Sequence, residues 1–257
     1  AKSADDIALV TSVMAGRDSR DMTTLPDYFE VQHDVSKNLR IGIIRETMTD
    51  DVDTDVRAAV NNYADALRAA GHTVEMVAMP SIKHALAIYY IVVPAEISSN
   101  LARYDGVRYG RRAEGVKTLA ELYGRSRGEG FVTENKRRIM IGSYVLSSGF
   151  FDAYYLQAQK ARTVLINEFN TLFEQYDFLL MPTAPTPAFG IGENADDPVK
   201  MYLADVMTVP PSLAGLPALS VPAGVNAQGL PIGAQLVGRA KSDAALIALA
   251  GSMEARA

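Results

Sequence analysis

A chain of 257 residues, 48% of them apolar, can bury a substantial core and falls in the range of one large domain or two small ones. Its formal net charge of −5 offers no basic field for neutralising phosphates, which argues against direct nucleic-acid binding by this chain. It has no cysteine, so disulfides, thiolate metal sites and cysteine nucleophiles are excluded.

Ser3-Ala4-Asp5-Asp6 reads as a helix cap leading into Ile7, Ala8, Val10, Val13 and Met14, with Gly16 as the stop. The polar stretch 17–37 is expected to be loop. Leu39 to Ile44 is almost wholly apolar, as in a strand covered on both faces. Val56, Ala59, Val60, Tyr63, Ala66, Leu67 and Ala70 form one helical stripe ending at Gly71, and Thr73 to Met79 reads as a second strand. Strand, helix and strand in this order make a right-handed parallel crossover. The expected class is therefore α/β, a mixed β-sheet covered by helices on both faces.

Ser81 to Tyr104 reads as a long apolar helix that Pro94 kinks or splits. Tyr89 and Tyr90 there are read as packing residues on chemistry alone. Arg103, Arg108, Arg111 and Arg112 form a basic cluster, which usually marks a solvated face or an ion-pair lattice. Thr118 to Gly124 is expected to be a short helix and the glycine-rich 125–135 a loop. A long tyrosine-rich helix is expected over Arg138–Tyr176, broken or bent at Gly149, with Ile139, Met140, Tyr144 and Val145 on its buried side before that point. Phe178 to Met181 reads as a strand, and Leu219–Val221 with Ile232–Val237 as a hairpin turning at Asn226–Gly229. No apolar run reaches about 18 residues, so no membrane span is expected, and the chain is expected to be cytoplasmic. It begins at a helix cap and ends within a helical pattern at Ala244–Ala257, as a piece of a longer chain would.

No strong nucleophile constellation stands out. Ser98-Ser99 and Ser147-Ser148 lie outside any glycine-rich loop that could form an oxyanion hole. His33, His72 and His84 have no metal spacing and are read as structural. A recognition set remains. A free amino acid needs a planar cation for its carboxylate and an anion for its ammonium group. Arg138 and Asp205 are suitable by type, although an Asp in an apolar stretch more often caps a helix or pairs locally.

Several motifs carry a resemblance: Lys136-Arg-Arg-Ile-Met-Ile-Gly-Ser-Tyr-Val-Leu-Ser147, Asp152-Ala-Tyr-Tyr155, Pro182-Thr-Ala-Pro185, Pro231-Ile-Gly-Ala-Gln235, and Glu96 with Asn100-Leu-Ala-Arg-Tyr-Asp-Gly-Val-Arg-Tyr-Gly110. They resemble the amidase signature family, and within it the A-subunit branch of the glutamyl-tRNA(Gln)/aspartyl-tRNA(Asn) amidotransferases. The resemblance spans essentially residues 1–257 as the carboxyl-terminal portion of a single amidase domain. It implies an upstream Ser–cis-Ser–Lys triad outside this chain, so that no catalytic residue lies here and this stretch alone is inactive. It implies a parent enzyme that releases ammonia from glutamine, with subunits B and C as partners. ATP and Mg would be bound by a partner subunit and no cofactor by this chain; tRNA would be met only through the complex, and no membrane is involved.

The resemblance also maps the substrate shell: Arg138 on the glutamine α-carboxylate, Asp205 on its α-ammonium group and Tyr89 closing the side of the pocket, with Tyr90 and Arg137 as the neighbouring alternatives. Ser212, Val132 and Asn135 depart from the family pattern, where Asn, Gly and Val are usual. Two other readings stand beside this one: a hydrolase of the same family acting on a different amide, and a non-catalytic fragment that docks with partners.

Overall fold

The computed structural model describes residues 1–26, 29–32, 35, 38–193 and 198–254. His33 lies outside them. At the amino end the Asp6 N–H donates to Ser3 Oγ at 3.1 Å, capping α1 (Ala4–Met14) as expected. Strand β1 (Arg40–Ile44) is buried at every position after Arg40. The Asp53 carboxylate accepts from the Asp55 N–H to start α2 (Thr54–Ala69), which buries Val56, Ala59, Val60, Tyr63, Ala64 and Leu67. Gly71, at φ +99°, turns the chain into β2 (Thr73–Val77). A 3₁₀ turn at Pro80–His84 is fixed by Ser81, whose N–H and Oγ both donate to Glu168 (3.0 and 2.6 Å).

This turn enters α3 (Ala85–Leu101), which runs through Pro94 without dividing. The proline removes one backbone bond, and the helix continues across it. The next helix, α4 (Leu119–Gly130), is longer than expected: 125–130 is helix and not loop. The Glu121 N–H donates to Thr118 Oγ1, and Arg125 pairs with Glu129 one turn on (3.1 Å), which offsets the glycines. A Cβ at Gly124 would meet nothing within 4 Å. Gly124→Ala is therefore expected to stabilise the protein by about 0.5–1 kcal/mol, read from the midpoint of urea unfolding.

Helix α5 (Thr133–Val145) ends before Gly149, at φ +90°, and a π-helical turn at Phe151–Leu156 leads into α6 (Gln157–Phe173). The helix expected over Arg138–Tyr176 is broken at Gly149, as expected, and a widened turn opens its second half. Its expected apolar side is corrected, because Met140 and Tyr144 are exposed. Tyr144, Phe150 and Tyr154 cover one another instead, with ring centroids 4.2–6.2 Å apart. Strand β3 (Phe178–Pro182) is wholly buried. Then follow α7 (Pro198–Ala204), α8 (Val209–Ala214) and a hairpin of β4 (Ala218–Val225) and β5 (Pro231–Gly238). Asn226 Oδ1 accepts from the N–H groups of Gln228 and Leu230 and closes the hairpin at the expected turn. The last helix is α9 (Asp243–Glu254).

The chain forms two compact units. The first joins Ala1–Leu86 to Val164–Ala257 around a five-stranded sheet of order β2-β1-β3-β5-β4. Strands β2, β1 and β3 are parallel, while β5 and β4 are antiparallel, so the sheet is mixed. One face places Ile41, Ile43, Phe178, Leu180, Ala234 and Leu236 in a core with α1, α2 and α9. Ile44, Leu179, Met181 and Val237, at the alternate positions, are fully buried too. Each such side chain contributes about 1.5–3 kcal/mol on leaving water. The second unit, Ala87–Thr163, is helical, built from most of α3, from α4 and α5, and from the start of α6.

Candidate functional site

In the second unit, α3 carries Tyr89 and Tyr90, and α5 carries Arg138. What brings the two helices together is Gly142, one turn beyond Arg138. A Cβ there would strike the Pro94 carbonyl oxygen and would lie 2.6 Å from both Pro94 C and Ser98 Cβ. Only a glycine lets the helix surfaces approach so closely. Ser98 Oγ and Ser143 Oγ, 2.9 Å apart, add a hydrogen bond across the same contact.

This approach sets Arg138 beside Tyr89. Arg138 Nη1 donates to the Tyr89 hydroxyl at 3.4 Å, and its guanidinium lies 5.7 Å from the centre of the Tyr90 ring. Tyr89 and Tyr90 are half-buried and meet edge to face at 5.1 Å. The Arg138 side chain is only 22% exposed. Its Nε donates to Glu134 Oε1 at 2.9 Å, and the other oxygen of Glu134 pairs with Arg137 Nη1. Burial alone would lower the Arg138 pKa, but Tyr89 and Glu134 outweigh it and raise it. For Glu134, burial pushes the carboxyl pKa up, yet Arg138 and Arg137 more than offset this and hold it below the usual range. Both charges are therefore fixed at neutral pH. Arg138 Nη2 has no partner among the described residues.

Asp205 sits in the first unit, in the turn between α7 and α8. Its backbone carbonyl accepts from the N–H groups of Thr208 (3.0 Å) and Val209 (3.1 Å). Gln235 on β5, 4% exposed, donates to the Met207 carbonyl at 2.8 Å and ties this turn to the sheet. The Asp205 carboxylate is exposed and has no partner among the described residues.

Glu134 was not singled out in the sequence. Its signal was the spacing of three and four residues to Arg137 and Arg138. Elsewhere, the basic cluster is partly an ion-pair lattice, with Arg111 and Arg125 both on Glu129. His72 Nδ1 accepts from the Leu39 N–H at 3.3 Å, a structural role. A groove of 620 Å³ in the first unit runs along α2, β4 and α9 and is lined by Ala66, Val221, Ala250 and Met253. It does not include Asp205. Tyr63 lines it too, its hydroxyl buried without a partner among the described residues and its pKa raised by that burial. Among the described residues, no helix is long and apolar enough to cross a membrane.

Curated relatives match along nearly the whole chain. The glutamyl-tRNA(Gln) amidotransferase A-subunit of Granulibacter bethesdensis is 50% identical over 258 residues, covering 99% of this chain and 52% of that protein. The protein of the same name from Brevibacillus brevis is 48% identical, covering 98% and 52%. A solved structure of the glutamyl-tRNA(Gln) amidotransferase A-subunit from Thermotoga maritima is similar with a TM-score of 0.74 at 34% identity, covering 96% of this chain and 49% of that one. The chain thus spans about half the length of the curated relatives it matches. The amidase family model matches residues 1–247, and the chain belongs to the amidase family.

Proposed function

We propose that this chain is the glutamine-binding portion of the amidase subunit of a tRNA-dependent amidotransferase. The observation that carries this reading is Arg138: a half-buried guanidinium, held on Nε, with Nη2 free of any partner among the described residues. An arginine so held is suited to a carboxylate, which takes two parallel N–H bonds in one plane. The family resemblance assigns Asp205 to the α-ammonium group, and Tyr89 borders the guanidinium on the side of Nη1. Relatives named as the A-subunit of glutamyl-tRNA(Gln) amidotransferases, at 48–50% identity, support the same assignment.

In the full-length protein the reaction is glutamine plus water giving glutamate plus ammonia. The nucleophile comes from a Ser–cis-Ser–Lys triad upstream of this chain, which here contributes binding and orientation. Fixing both ends of the amino acid presents the side-chain amide in one position, and that positioning lowers the entropic part of the barrier to attack by the nucleophile. Ammonia then serves amidation of Glu-tRNA(Gln) or Asp-tRNA(Asn), with subunits B and C as partners and ATP and Mg on a partner subunit.

Two glutamine analogues test the reading in the full-length protein. Glutaramate lacks the α-ammonium group and 4-aminobutanamide lacks the α-carboxylate, while both keep the amide. Each is expected to release ammonia with kcat/KM at least about 30-fold below glutamine, from the loss of one charged contact. Hydrolysis of both at the rate of glutamine would mean that neither charge is read.

A further inference from the structure

Arginine presents two forks. One edge carries Nε and Nη2, the other Nη1 and Nη2. A lone carboxylate four residues upstream would be expected to close on the first edge with both oxygens, using Nε and Nη2 together. Glu134 does not do this. Its Oε1 is 2.9 Å from Arg138 Nε, while its Oε2 is engaged by Arg137 Nη1. Arg138 therefore keeps Nη2 open, and Nη1 is held only by the long 3.4 Å contact to the Tyr89 hydroxyl.

We propose that Glu134 is a positioning residue for substrate recognition. By dividing its oxygens between Arg137 and Arg138, it fixes the Arg138 side chain and leaves the Nη1/Nη2 edge for the substrate carboxylate. Arg137 is its accessory, keeping the second oxygen away from Nη2. This inference rests on the reading of Arg138 as the carboxylate contact. Its chemical content is specific: Glu134 touches no substrate atom, and it acts by saving the cost of ordering a long side chain.

The experiment uses the full-length protein with glutamine as the probe. Glu134→Ala is expected to raise the KM for glutamine about tenfold, the scale of one side chain left to order on binding, with kcat unchanged within about twofold. Arg137→Ala is expected to raise KM as well, because the freed oxygen can then close on Arg138 Nη2. Glu134→Gln keeps an acceptor for Nε and should recover part of the loss; it also serves as the readout if Glu134→Ala does not fold. In an Arg138→Ala background, Glu134→Ala should change kcat/KM no further, the mark of two residues acting through one contact. An increase in KM for Arg138→Ala with none for Glu134→Ala or Glu134→Gln would overturn the role of Glu134 alone. Additive losses in the double variant, or a fall in kcat at constant KM, would do the same by pointing to a structural role. No change in KM for Arg138→Ala would remove the glutamine reading and this inference with it.

Discussion

Replacing Arg138 with lysine in the full-length protein is expected to cost nearly as much glutaminase activity as replacing it with alanine. Lysine keeps the charge but loses the planar fork, and it cannot donate to Glu134, Tyr89 and a carboxylate in one plane. Asp205→Asn keeps the shape of the side chain and removes the charge proposed to face the ammonium group. Loss of one partner from a desolvated charged hydrogen bond costs about 2–5 kcal/mol, so kcat/KM for glutamine should fall about 30-fold or more in Arg138→Lys, and by less in Asp205→Asn, whose carboxylate is exposed and screened by solvent. Ammonia supplied directly bypasses glutamine binding, so ammonia-dependent amidation of tRNA by the assembled enzyme should be largely preserved. If both activities fall together, these residues support the fold or a contact with a partner. If neither falls, Arg138 and Asp205 are ordinary surface charges.

The second large effect is expected at Gly142. Alanine there meets the backbone of Pro94 and the Cβ of Ser98, not the end of a flexible side chain. Relief requires α3 and α5 to move apart, and overpacking of this kind costs about 1–3 kcal/mol. The same movement would separate Tyr89 from Arg138, so KM for glutamine should rise together with the loss of stability. Gly128→Ala is the control, since a Cβ there meets nothing within 4 Å. Denaturant unfolding midpoints that coincide for Gly142→Ala and the parent protein would show that the helices tolerate the extra methyl and that the close approach does not fix the site.

The crossover of β1, α2 and β2 was legible because each element is long enough, apolar on the right period and marked at its ends. Asp53 and Gly71 punctuate α2, and β1 is apolar on both faces because both are covered. The helices of the second unit were less legible. Glycines at 124, 128 and 130 argue for a loop, yet a cap at Thr118 and the Arg125–Glu129 pair carry α4 through them. On α5 the apolar pattern pointed to Ile139, Met140 and Tyr144, whereas Gly142 makes the close approach to α3, because contact between backbones calls for the absence of a side chain. Hydrophobic periodicity cannot register a residue that packs by being small. Arg138 and Tyr89 were mapped by the family resemblance, and the structure brings their side chains together. Glu134 was missed because 125–135 was read as a loop, whereas α5 starts at Thr133 and puts Glu134 one turn before Arg137 and Arg138. Only the division of its oxygens between two arginines sets it apart.

The first unit is interrupted in sequence by the second, and this has a consequence for the order in which the protein takes shape during its synthesis. The Arg40 N–H donates to the Asp177 carboxylate 137 positions later, at the point where β1 meets β3. After β2 ends at Val77, about a hundred more residues must emerge before β3 begins, which takes about 5–20 s at ordinary elongation rates. Throughout that interval Ile41 and Ile43 have no third strand beside them, and one edge of β1 stands open. The helical residues Ala87–Thr163 emerge whole in the meantime. The nascent chain thus carries an unfinished sheet while they form, and the unpaired edge of β1 is a place where it needs protection from other chains.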